Sequence, residues 1–251
     1  MNFALAPAWG FGLVLMRTAG LVMTAPVTSE QGVPQRVRAA IAVAVAVMAF
    51  LGAASPAPAV PDTLPGLVLP CAAETAFGAL AGLGARWVLA AAEAAGQLSG
   101  LSMGLGYGAS VSPGGSDSAV SSRLFHQLAL AAAVALGLHR EGFAWLSRSV
   151  RLVPPGALSA AHVETLALQS VSQAVLGVGL SVRIAFPVLV ATFAGHAALA
   201  LAGRFSPQLN LQSIGFSIAL LAGGAALYFF MPAAVELVAR QAVIAAQVSH
   251  G

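Results

Sequence analysis

The chain has 251 residues, of which 59% are hydrophobic and 8% charged, and its mean hydropathy is +0.89. Soluble domains carry roughly 25% charged residues, so the composition excludes a soluble globular protein and describes an integral membrane protein. The formal net charge of +3 rests on eleven basic residues, all arginine and scattered singly through apolar sequence, which argues against nucleic-acid binding because that requires a basic stripe.

A membrane helix takes about 20 mostly apolar residues. Six stretches qualify: 3–25, 38–54, 67–92 running on towards 105, 124–146, 171–202 and 214–239. The expected fold is therefore all-α and polytopic. The first two stretches flank a short polar connection holding Glu30, Gln31, Pro34, Arg36 and Arg38, the pattern of a membrane hairpin. Arg17 lies inside the first apolar run, where an unpaired guanidinium costs roughly 2.5–3.5 kcal/mol on insertion scales. It requires a protein partner or a wet cavity. No basic segment precedes that run and Arg17 interrupts it, so a cleaved signal peptide is not expected.

Punctuated connections separate the later stretches. Residues 55–65 carry Pro56, Pro58, Pro61 and Pro65, residues 107–122 are rich in Gly and Ser, and residues 148–159 contain Pro154 and Pro155. Ser159 suits the N-cap of the helix that follows. Pro187 lies within the long stretch 163–203, where loss of its amide predicts a kink or a break. Gln169, Ser170, Ser172 and Gln173 put a polar patch near the start of that stretch, suited to lining water or bonding a neighbouring helix.

Alternating spans would place Arg36, Arg38, Arg123 and Arg204 on one side and Arg140, Arg148, Arg151 and Arg240 on the other, so the positive-inside rule does not fix orientation. Arg86 and Arg183 also lie in apolar segments, which points to helices facing protein or water. Gly96, Gly100, Gly104 and Gly108 recur every four residues, and Gly78 and Gly82 repeat the spacing. Such small-residue ridges let helix backbones approach closely.

Motifs of catalysis lack their context. Gly104-Leu105-Gly106-Tyr107-Gly108-Ala109 fits the dinucleotide pattern G-x-G-x-x-G/A, but a glycine-rich apolar helix precedes it where a strand is needed. Ser147, His139 and Glu141 occur without a nucleophile elbow. His126, His139, His162 and His196 lack metal-ligand spacing, and the lone Cys71 reads as a small core residue. Glu74 and Glu93 sit in apolar sequence, where a carboxylate faces a bundle interior or a pathway. They suit an ion pair with Arg86 or a proton relay. With the Pro187 kink they would form the midplane site of a secondary transporter, although no internal repeat supports that reading.

Several ordered segments carry a family likeness. Arg17-Thr18-Ala19-Gly20, Ala25-Pro26 and Val33-Pro34-Gln35-Arg36-Val37-Arg38 open it. Ala95-Gly96-Gln97-Leu98-Ser99-Gly100, Met103-Gly104-Leu105, a Gly/Ser loop with Pro113 and Val153-Pro154-Pro155-Gly156 continue it. Gly203-Arg204-Phe205-Ser206-Pro207-Gln208-Leu209-Asn210 and Gly215-Phe216 close it. In this order they resemble the flagellar FliR proteins and their SctT-like counterparts in type III secretion. The sequence departs from that pattern at Ser112, where an Asp is usual before the loop proline, and at Gly137-Leu138, where Asn-Gly usually precedes the histidine now at His139.

The resemblance implies a non-enzymatic, cofactor-free subunit of a protein-export gate in the bacterial inner membrane at the flagellar basal body. On that basis the chain packs into a helical ring with FliP-like and FliQ-like subunits and meets FlhB-like and FlhA-like components. Exported, unfolded proteins pass through the central channel. Residues 1–155 would be a FliP-like portion and 156–251 a FliQ-like helical hairpin. The loop 106–121 would plug the channel, with Met103, Gly104, Gly106, Tyr107, Gly108, Ser112 and Pro113 at the channel. Arg17, Pro26, Pro34, Arg36, Arg38, Gly96, Gly100, Arg204, Pro207 and Asn210 would serve assembly and packing.

Overall fold

Apolar sequence in a membrane has no water for its amides, so each segment must close its own backbone hydrogen bonds. The computed structural model describes residues 5–30, 32–53, 58–105, 120–205 and 211–248. Among them the chain forms helices α1 (Leu5–Thr24), α2 (Gln35–Ala53), α3 (Leu64–Ser102), α4 (Val120–Ala135), α5 (Leu138–Leu152), α6 (Ala160–Phe205) and α7 (Leu211–Val248), with no strand. Five of these helices are long and apolar enough to cross a membrane, and α4 with α5 supplies a sixth span if that pair, bent by 60°, counts as one. The protein is an all-α polytopic membrane protein.

The stretch 124–146, expected as one span, is broken at Leu136–Gly137. Gly137 has φ 95°, a left-handed conformation that glycine adopts without a Cβ clash. Its N–H bonds the Val134 carbonyl at 3.0 Å and its own carbonyl accepts the Arg140 N–H at 2.9 Å, ending one helix and starting the next. Beyond it α5 is amphipathic: Leu138, Trp145, Leu146 and Val150 are buried, whereas Arg140, Arg148 and Arg151 are exposed.

Of the kink or break expected at Pro187, the break does not occur. Helix α6 runs 46 residues through Pro187, just as α3 passes Pro70 and α7 passes Pro232. A proline removes one bond, here the one to the Arg183 carbonyl, while the flanking amides in apolar surroundings have no alternative partner to the helix. At 1.5 Å per residue α6 is about 69 Å long, more than twice a hydrocarbon core of roughly 30 Å. Ser159 precedes α6 as expected and its carbonyl accepts the His162 N–H at 3.1 Å, but its hydroxyl contacts His162 Nδ1 at 2.7 Å.

The chain divides into two compact units that do not follow its order. The first comprises Met1–Val88, Ala133–Val175 and Arg240–Gly251, and the second Leu89–Ala132 and Leu176–Ala239. In the first, α1 and α2 form the expected hairpin. Pro34 accepts the N–H groups of Val37 and Arg38 at 3.0 and 3.2 Å, and the Arg38 guanidinium closes the turn on the carbonyls of Ser29 and Glu30 at 3.3 and 2.6 Å. Phe11 meets Phe50 edge to face at 5.8 Å, and the core continues through Val14, Phe77, Trp145, Leu146 and Leu166.

Helices α1 and α3 meet backbone to backbone. A β-carbon at Gly78 would be driven into the Arg17 carbonyl, one at Gly20 into the Thr75 carbonyl, and one at Gly82 into the Thr24 hydroxyl. That hydroxyl donates to the Ala79 carbonyl at 2.9 Å. The second unit uses the same device between α3 and α4, where a β-carbon at Gly96 would lie 2.6 Å from Ser122 Cα and the Ser121 hydroxyl donates to the Gly96 carbonyl at 2.9 Å.

Gly78→Leu should therefore lower the apparent melting temperature of the purified chain far more than Gly12→Ala, which adds its methyl in open space. Overpacking of this kind costs at least about 1–3 kcal/mol. Equal melting of the two variants in one detergent would contradict the close approach.

Candidate functional site

Arg17 and Glu74 are the two fully buried charged side chains of the first unit among the described residues. Arg17 projects from α1 and its Nε donates to Glu74 Oε2 on α3 at 2.6 Å. One terminal nitrogen donates to the Ser149 hydroxyl on α5 at 3.3 Å, the other to the Val153 carbonyl at 3.2 Å. The guanidinium carbon stands 5.2 Å from the Phe77 ring centroid, adding a cation–π contact. Glu74 Oε1 accepts the Gly156 N–H at 2.9 Å.

The sequence makes this turn possible. The Ala157 N–H bonds the Pro154 carbonyl at 3.0 Å, and Gly156 has φ 81°, so Pro155 and Gly156 occupy the positions they favour in a type II turn. That conformation aims the Gly156 amide at the carboxylate. A single network thus joins α1, α3, α5 and the turn before α6.

The pairing of Glu74 with Arg86 does not occur. Twelve residues along one helix separate two side chains by about 18 Å, beyond any ion pair. With Glu74 engaged through both oxygens, the expected carboxylate pair for a relay or a midplane transport site is reduced to the half-buried Glu93. Sequence reasoning does not reach Ser149, Val153, Gly156 and Phe77 as partners of this ion pair. The proline-rich turn is the signal available for Val153 and Gly156.

The other expected site residues separate by place. Pro26 is buried in the turn after α1, Pro34 immediately precedes α2, Arg36 is exposed and Arg38 closes the hairpin. Arg204 is exposed in the last turn of α6, where a cation complements the helix dipole. In the second unit Gly96 and Gly100 are buried on α3. Gly104 ends that helix with φ 79°, and its N–H bonds the Leu101 carbonyl at 3.0 Å. Met103 is 2% exposed and packs on Val188 and Ala226, filling the space left by Gly223. Gly106, Tyr107, Gly108, Ser112, Pro113, Pro207 and Asn210 lie outside the described residues.

The ion pair is a linkage device, so removing one partner strands the other. Arg17→Leu and Glu74→Leu should each destabilise the chain by about 3–5 kcal/mol, while the double variant should recover much of that loss. A thermal double-mutant cycle measures it, and additive losses would contradict the pairing.

The protein-family model described as bacterial export proteins, family 1, matches residues 8–243. The chain is 27% identical over 214 residues to the flagellar biosynthetic protein FliR of Caulobacter vibrioides, an alignment covering 84% of each chain. It is 27% identical over 219 residues to FliR of Escherichia coli K12, covering 87% of this chain and 82% of the relative. It is also 28% identical over 224 residues to FliR of Pectobacterium carotovorum, covering 86% and 82% respectively. Because the family match reaches all seven described helices, this chain belongs to the bacterial export proteins, family 1.

Proposed function

We propose that this chain is a subunit of the flagellar type III export gate. With FliP-like and FliQ-like subunits it forms the channel through which unfolded flagellar proteins cross the inner membrane at the basal body. FlhB-like and FlhA-like components are its further partners. The observation that carries this reading is the family match over residues 8–243, in a chain whose relatives are named as flagellar biosynthetic proteins. Those names favour the flagellar system over a virulence secretion system.

The helices support association with other helices. Val171, Val175, Phe186 and Phe193 on α6 and Tyr228, Phe229 and Phe230 on α7 are exposed, on helices too long to lie upright within one hydrocarbon layer. Residues 1–155 act as the FliP-like portion and 156–251 as the FliQ-like hairpin. The chain performs no bond chemistry in this role. It shapes a passage.

The loop 106–121 serves as the plug. The residues just before it suit that role, since Met103 is fixed in the second unit and Gly104 turns the chain out of α3. Opening the passage would displace the loop, and its Gly and Ser residues offer little side-chain obstruction. Arg36, Arg204, Pro207 and Asn210 lie at contacts with neighbouring subunits.

Deleting residues 110–115 should leave the gate assembled but raise leakage of small solutes through the membrane of cells carrying it. An unchanged barrier with normal assembly would remove the plug role.

A further inference from the structure

A cavity of about 240 Å³ opens between α5 and the start of α6 within the first unit. Its floor is apolar, built from Phe77, Trp145 and Leu166. Its polar lining comprises the Arg148 guanidinium, the His162 ring, the Gln169 amide and the hydroxyls of Ser149 and Thr165, which donate to the Leu146 and Ala161 carbonyls at 2.9 and 2.8 Å. The Arg148 side chain is 50% exposed. His162 Nδ1 accepts the Ser159 N–H at 3.2 Å, which leaves Nε2 to carry the ring proton.

Helix α5 extends this chemistry beyond the cavity. At 100° per residue, Arg140, Arg148 and Arg151 fall within about 80° of arc, and all are exposed. Three of the chain's eleven arginines thus share one face of a 15-residue helix. Glu141 pairs with Arg148 at 3.8 Å and accepts the Gln247 amide at 3.2 Å, and the Arg148 and Arg151 Nε groups donate to the Ala144 and Ser147 carbonyls at 3.3 Å, but three arginines against one carboxylate leave the face a positive excess. Glu164, near the start of α6, does not line the cavity.

We propose that this site holds an anionic phospholipid, with one acyl chain over the Phe77, Trp145 and Leu166 floor and the phosphate on Arg148 and His162, flanked by Arg151. The combination selects that occupant. A soluble anion has no use for an apolar floor, and an acidic partner segment would engage the arginines without filling the slot. The volume lies below the roughly 300–1,000 Å³ of drug-sized pockets and suits the first methylenes of one acyl chain, next to the glycerol. Amphipathic α5, set at 60° to α4, has the character of an interfacial helix, and basic pockets between membrane helices are known sites for anionic headgroups.

Native mass spectrometry of the full-length protein released from bilayers of equal phosphatidylglycerol and phosphatidylcholine, with identical acyl chains, tests the assignment. The protein should retain phosphatidylglycerol in preference to phosphatidylcholine. Arg148→Gln should lower that retention about fivefold, the loss of one headgroup arginine. Thr165→Trp, at an exposed position of the rim, should block the slot and remove the lipid with every arginine intact. Equal retention of the two lipids, or an unchanged adduct in either variant, overturns the proposal. Loss of the adduct when the chain is assembled with partner subunits also overturns it and gives the face to a protein.

Discussion

A guanidinium and a carboxylate withdrawn from water must find each other with good geometry, because desolvation penalises each alone by several kcal/mol. Arg17 and Glu74 meet that condition at 2.6 Å with no exposed surface on either side chain. The surrounding structure makes the distance possible. Gly20 lies three residues from Arg17 and Gly78 four residues from Glu74, so the glycines lie on the helix faces that carry the charges. Removing their side chains brings α1 and α3 together closely enough for the ions to meet. The remaining donors and acceptors then fix α5 and the Pro154–Ala157 turn, through Ser149, Val153 and Gly156.

Such a pair gives little net stability relative to a well-packed apolar core, and its value lies in selecting one arrangement of otherwise uniform apolar helices. That matters in this chain. Apolar side chains surround most of the helix circumference in α1, α2, α6 and α7, so greasy surface alone does not specify which faces meet. Glycine ridges and one buried ion pair supply the specificity.

Much of the fold is legible from apolar length alone, because the bilayer leaves helices as the economical way to satisfy the backbone. The cost of Arg17 and the unusual position of Glu74 are also legible. Their pairing is not, since it spans 57 residues and no local periodicity reports a contact at that range. Sequence proximity instead directs Glu74 to Arg86 on its own helix, where the two are out of reach. Gly137 does not read as a break because Leu136 and Leu138 keep the apolar run continuous on either side. Only its left-handed backbone separates α4 from α5. At Pro187 the helix does not break, because the hydrogen bonds flanking it hold the chain helical. The family likeness lies in short ordered segments, and the family match from residue 8 to residue 243 spans all of them.

The most direct test is a side-chain-resolution cryo-EM structure of the complex that purifies with this chain in mild detergent. The account predicts one copy of the chain within a larger helical ring of other subunits, with Arg17 paired to Glu74 of the same chain. A symmetric homo-oligomer, or Arg17 paired across a subunit boundary, would contradict it.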